Sequence, residues 1–336
     1  MKHRNRLVIL ILTCCLILVG CKANSVVTSR DANNINKKLE KKINKAREYC
    51  KQEKYEEADK IYTEILKETN NKDIRLEKEY IKKYQMTLTK RAYLWTEKGY
   101  LTEDEIKDLG IKIDKGIEDV ENYLKKSNNN NISYDGYEKM HFIITSEAGI
   151  SSARSGVSKI QLFWVKEKAS PYVHETTHIV AGRSKYRWLT EGLAVLIDDL
   201  YNPWDNYPNF QFEGEQIAKD YIVWSEEGIE KTKILKDIYK EVNLEKQKEI
   251  HQAVSKILKD IGSTSHTVAI DDNSAERSIY YSLAGSYMKY LVENLGIEAV
   301  MKVYSSNEPE ITVKEVSNKS FDTWREEWIN YLKSNY

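Results

Sequence analysis

The chain reads as an α+β protein that is mostly α-helical: a helical N-terminal part, then a C-terminal domain of helices around a small sheet. Three observations predict this. Charged residues make up 31 % of the 336 positions and prolines number only four, a composition suited to long solvated helices. Apolar residues recur at helical spacing through much of the chain. Two short runs, Met140 to Thr145 and Ile160 to Val165, are β-branched or aromatic, end at turn residues and read as strands. The formal net charge is zero, so the chain carries no electrostatic footprint for a nucleic-acid partner.

Lys2, Arg4 and Arg6 precede an apolar run from Leu7 to Gly20. That run is shorter than the roughly 20 residues a membrane span needs, and residues 1–20 read as a signal peptide. It ends in Leu18-Val19-Gly20-Cys21, which resembles the lipobox of bacterial lipoproteins. The resemblance implies that Cys21 is acylated and anchors the protein to the extracytoplasmic face of the bacterial cell membrane. Cys14 and Cys15 fall within the signal, which leaves Cys50 alone and no intramolecular disulfide in the mature chain.

Residues 21–35 read as a polar, lipidated tether, and residues 36–126 as a helical domain. Ala46, Tyr49, Cys50, Tyr55, Ala58, Ile61, Tyr62 and Ile65 follow helical spacing, and Cys50 reads as a small packing residue. Ala46 to Leu66 resembles one tetratricopeptide unit, but no repeat recurs at about 34 residues and arrays need three or more units. A small helical bundle is expected, with a surface open to a protein partner. Ser127 followed by Asn128 to Asn131 forms an Asn-rich linker, 127–131, ahead of a domain spanning 132–336.

The centre of that domain is Ser170-Pro171-Tyr172-Val173-His174-Glu175-Thr176-Thr177-His178-Ile179-Val180-Ala181-Gly182. Ser170 suits an N-cap, Pro171 the first helical position and Gly182 the stop. Residues four apart share a helix face, so His174 and His178 can meet one metal ion. Glu175 lies about 100° further round, beside the ion rather than bound to it, where a carboxylate can act as general base. A catalytic zinc usually takes three protein ligands. Glu191 is the candidate, in Trp188-Leu189-Thr190-Glu191-Gly192-Leu193-Ala194, after a short polar turn from Arg183 to Tyr186. It opens a helix running to about Leu200, whose small Gly192 and Ala194 are expected to let it approach the first. A third histidine at the metzincin spacing is absent, since that position is Ser184.

H-E-T-T-H followed by W-L-T-E-G-L-A resembles the gluzincin metallopeptidases, in particular the bacterial peptidase MA-like family. Weaker similarity extends to Tyr281 to Leu291 with Asn294-Leu295-Gly296, and to Phe321 to Trp328. The resemblance implies a gluzincin-like zinc peptidase fold with His174, His178 and Glu191 as zinc ligands and Glu175 as base. Many gluzincins place an aspartate four residues after the ligand glutamate. Here that position is Val195, leaving Asp198 or Asp199 as candidates to support a histidine. The resemblance also implies that the strand before the metal helix is a sheet edge, so that Ile160, Gln161, Leu162 and Phe163 would bind substrate backbone. Tyr281 is a candidate to stabilise the tetrahedral intermediate.

The remaining stretches are less informative. Trp204, Tyr207, Pro208 and Phe210 could wall a cleft or cover the core. Residues 213–261 are helical, with His251 solvated, and His266 sits in a polar segment. The expected function is a membrane-anchored, extracytoplasmic zinc metallopeptidase acting on a peptide or protein substrate with Zn2+-activated water and Glu175 as base. The alternative is a catalytically inactive zinc-fold lipoprotein that binds proteins through its helical N-terminal domain.

Overall fold

A computed structural model of the chain describes residues 29–125, 138–154, 158–204, 213–241, 243–262 and 274–336. Cys21, the linker 127–131, Tyr207, Pro208, Phe210 and His266 lie outside the described residues. The chain divides into two compact units, Met1–Asn70 and Asn71–Tyr336. Among the described residues no helix is long and apolar enough to cross a membrane.

The first unit is a helical pair, α1 (Ser29–Lys51) and α2 (Tyr55–Glu68). The chain reverses through Glu53, which has a φ of +58°. Ala46, Ala58, Tyr62 and Ile65 are buried between the helices, as their spacing anticipates. Cys50 is half-buried, with Sγ 4.0 Å from the Tyr62 hydroxyl. The tether expected over 21–35 is already helical from Ser29.

The second unit corrects the helical domain expected over 36–126. After α3 (Lys72–Tyr80), residues 84–97 fold back as a hairpin of β1 (Tyr84–Leu88) and β2 (Ala92–Glu97). No Gly or Pro marks its turn. Asp114 supplies the turn from a distance, accepting from the Thr89 hydroxyl (2.7 Å), Lys90 N (3.0 Å) and Arg91 N (2.9 Å). Asp114 lies on α4 (Glu103–Tyr123), which begins with a capping box of Thr102 and Glu105.

Three further strands complete the sheet: β3 (Met140–Ile144), β4 (Ser152–Arg154) and β5 (Lys159–Leu162). The order is β1-β2-β3-β5-β4, parallel at β2–β3 and β3–β5 and antiparallel at both ends. The parallel β2–β3 pair needs a long crossover, which includes α4. Both strands expected from the sequence are present, but β5 stops at Leu162, because Trp164 has a φ of +58° and turns the chain away. Inside the sheet His141 is fully buried and receives the Trp95 indole N–H on Nδ1 at 3.0 Å. An indole nitrogen only donates, so the His141 proton sits on Nε2 and goes to Asp73 Oδ1, 2.8 Å away.

The helices that carry the two sequence motifs follow: α5 (Tyr172–Ala181) and α6 (Arg187–Tyr201). Residues 213–261 are largely helical, forming α7 (Gly214–Glu227), α8 (Leu235–Ile238) and α9 (Leu244–Asp260), and His251 is exposed. The chain then builds α10 (Ser274–Leu295), α11 (Ile297–Tyr304), α12 (Pro309–Ser317) and α13 (Phe321–Asn335). The protein is thus mostly helical with a small mixed sheet. The core of this unit is one apolar cluster joining the sheet to these helices. At its far end Trp328 donates to the Ser286 hydroxyl (3.0 Å) and Tyr287 to the Phe321 carbonyl (2.9 Å), fastening α13 to α10.

Candidate metal centre

His174 and His178 stand one turn apart on α5, and their Nε2 atoms are 3.1 Å apart. Glu191, in the first turns of α6, brings Oε2 to 3.4 Å from each. Three donors held roughly 2.0–2.2 Å from a four-coordinate ion lie roughly 3.3–3.6 Å from one another. The triangle therefore has about the size of a zinc site. Its chemistry agrees: Glu191 Oε2 is buried with no hydrogen-bond partner. An orphaned carboxylate oxygen is costly, and a cation among these donors would remove the cost. Two imidazoles and one carboxylate are the donor set of a catalytic zinc, so the residues fit that ion.

The electrostatics point the same way. Burial opposes ionisation of Glu191, yet the two imidazoles hold it well below the usual carboxylate range. Burial likewise disfavours charge on His174, but the Glu191, Glu175 and Asp198 carboxylates outweigh it and raise His174 to about 9. The site attracts positive charge. Glu175 is buried at the same cleft, and desolvation pushes its carboxyl above the ordinary value against the lowering pull of both imidazoles. A carboxylate made more basic in this way is a better proton acceptor near neutral pH.

Local sequence explains how the helices present these groups. Gly182, at φ +74°, ends α5 as expected. Ser170 does not cap it through its side chain: its hydroxyl is buried without a partner. The capping acceptor comes from the next helix, where Asp198 Oδ1 takes the His174 backbone N–H at 2.9 Å and the Asn202 amide at 3.0 Å. Asp198, one of two support candidates, thus ties the first turn of α5 to α6.

Gly192 of α6 has a different neighbour from the one expected. A Cβ on Gly192 would sit 2.5 Å from the Ala284 carbonyl oxygen, so Gly192 admits α10 rather than α5. One turn further along α6, a Cβ on Gly285 of α10 would meet Val195 Cγ1 at 2.5 Å. Val195, where many gluzincins have an aspartate, is thus packed against a helix backbone and is 1 % exposed. The close crossing carries Tyr281 beside the His174, His178 and Glu191 cluster, with its ring 5.7 Å from that of His174. Burial raises the Tyr281 hydroxyl well above its ordinary value, so it stays protonated and able to donate.

A cleft of about 510 Å³ opens over the site. It is lined by His174, Glu175, His178, Glu191 and Tyr281, with Ser152 and Ala153 of β4 and the preceding Ser151 on one side. The edge role expected for Ile160, Gln161, Leu162 and Phe163 is corrected. β5 is paired on both sides, by β3 and β4, and Ile160 and Leu162 are fully buried. The strand at the sheet edge beside the cleft is β4, too short and too polar to stand out in the sequence. Arg183, Lys185 and Arg187 also line the cleft; their alternation through the inter-helix turn into the start of α6 was the available signal. Trp204 is partly buried and packs edge-on against Tyr172 at 5.2 Å, covering the core rather than lining the cleft.

In comparisons with known proteins, no family model and no curated protein sequence matches the chain.

Proposed function

We propose that the chain is a gluzincin-type zinc metallopeptidase, held at the extracytoplasmic face of a bacterial membrane by a lipid anchor on Cys21. The observation that carries the peptidase reading is the convergence of His174, His178 and Glu191 Oε2 within 3.4 Å, with Glu175 buried beside them in one cleft. The anchor rests on the Leu18-Val19-Gly20-Cys21 motif alone.

His174, His178 and Glu191 would hold the ion, which when bound supplies Lewis-acid polarisation and a water acidic enough to ionise near pH 7. The chain's own residues do the rest. Glu175, made more basic by burial, accepts the proton of the attacking water and passes it to the departing amine. The Tyr281 hydroxyl donates to the oxygen that becomes negative at the scissile carbon. Ser152 to Arg154 offers an edge on which an extended peptide can pair by its backbone.

Glu175→Gln tests this assignment. It keeps the shape and removes the base, so zinc content should stay near that of wild type while peptide hydrolysis falls roughly 10²–10⁴-fold. Full activity in the variant would sink the role given to Glu175.

A further inference from the structure

The segment that joins α5 to α6, residues 182–186, forms a wall of the cleft. Alternate residues pin it to the body of the domain. The Gly182 carbonyl accepts the Tyr304 hydroxyl at 2.6 Å, Ser184 N donates to Thr190 Oγ1 at 3.0 Å, and Tyr186 is 1 % exposed. The residues between and just after them, Arg183, Lys185 and Arg187, therefore turn outward. All three are exposed and line the cleft.

Arg187 is partly engaged, with Nε 4.0 Å from Glu191 Oε1 and its guanidinium over the Tyr280 ring. Among the described residues Arg183 and Lys185 have no carboxylate at ion-pair distance. The carboxylates lining the cleft are Glu175 and Glu191, and both face the metal position. On the β4 side the cleft is lined, among the described residues, by Ser151, Ser152 and Ala153, none of them charged. The chain as a whole has no net charge, so three cations on one wall are a local concentration. A walled cleft focuses such a field and raises the local concentration of anions within it.

We infer that this loop selects substrates carrying carboxylates. Peptides with an Asp or Glu side chain, or a free C-terminal carboxylate, near the cleaved bond bind in preference to neutral or basic ones. The inference rests on the peptidase reading. Arg183 can grip a carboxylate through two parallel hydrogen bonds, while Lys185 acts as a point charge.

The test is binding rather than turnover. Fluorescein-labelled peptides are titrated against zinc-loaded Glu175→Gln protein and followed by anisotropy. One series carries Glu or Asp against Gln or Asn at each position with an amidated C-terminus. A second compares free acid with amide. Acidic members should bind at least tenfold more tightly than neutral ones, and the ratio should shrink as ionic strength rises from about 0.05 to 0.5 M. The ratio should fall to near one in Arg183→Glu/Lys185→Glu and persist in Lys107→Glu, a charge reversal on an exposed face of α4. A gain confined to the free C-terminus would assign the loop to a terminal carboxylate; a gain within the amidated series would assign it to side chains. Equal binding of acidic and neutral peptides, no binding of any, or a ratio unchanged in the double variant would overturn the inference. Wild-type protein that binds these peptides and cleaves none would count against the peptidase reading alone.

Discussion

Glu191 has an unusual position among the site residues. Its Oε2 is buried, meets two imidazoles at 3.4 Å and makes no hydrogen bond, so its contribution is electrostatic and directed at one point. Zinc should therefore raise the melting temperature of wild-type protein, by an amount that corresponds to about 4 kcal/mol when zinc stands at a thousand times its Kd. In Glu191→Gln that rise should largely vanish, while the melting temperature measured in chelator changes little. An equal zinc-induced rise in both proteins would remove Glu191 from the ligand set. Tyr281 differs, because it lines the cleft beside His174 without being one of the three candidate ligands. Tyr281→Phe should keep its zinc and lose roughly 10²-fold in kcat; loss of zinc with the activity would make it a packing residue instead. His174, Glu175 and His178 were legible in the sequence because helical spacing alone puts them on neighbouring faces, whereas Glu191 was offered by the downstream motif and Tyr281 by the family resemblance. Asp198 was only half legible: the sequence offered it as a support, but its bond to a backbone N–H depends on how two helices cross.

At the scale of elements, the crossing of α6 and α10 decides where the site residues stand. Gly192 lets the Ala284 carbonyl approach to a distance that no Cβ tolerates, and Gly285 admits Val195 from the other side. Gly192→Ala must push the helices apart, at a cost of roughly 1–3 kcal/mol. The same shift moves Glu191 and Tyr281, so zinc affinity should fall along with the melting temperature. A variant as stable as wild type would show that the crossing is slack. The sheet has its own electrostatic tie: Glu97 at the end of β2 accepts from Ser146 N, the Ser146 hydroxyl and the Thr145 hydroxyl. These bonds, the Ser146 backbone N–H first, hold its carboxyl below the ordinary value of 4.5. Its folded pKa is the lower one, so this stabilisation is fully present above the unfolded value and fades as pH falls through the folded value. The melting temperatures of wild type and Glu97→Gln should differ most near neutrality and converge in acid; a constant gap would contradict the tie. The β1–β2 hairpin was hidden in the sequence because Asp114 of a later helix supplies its turn chemistry, and β4 because three residues leave no alternation to read.

Over the whole molecule, the helical majority, the strands at Met140 and Ile160 and the two motif helices followed from spacing and composition. The division of the chain did not. The contact boundary lies at Asn70 and Asn71, where Thr69-Asn70-Asn71 interrupts the Lys- and Glu-rich sequence, and beyond it the strand from Ala92 joins the sheet by pairing with a strand far later in the chain, Ala92 opposite Met140. Pairing across that distance leaves no local mark in the strand's own sequence. The second unit holds every residue that lines the cleft. The proposed function depends on His174, His178 and Glu191 binding a single zinc ion. The most direct test is the metal content of the purified protein beginning at Lys22, measured by mass spectrometry beside that of His178→Ala. About one zinc is expected per wild-type chain and essentially none in the variant. No zinc in wild type after reconstitution, or equal zinc in both proteins, would exclude this site.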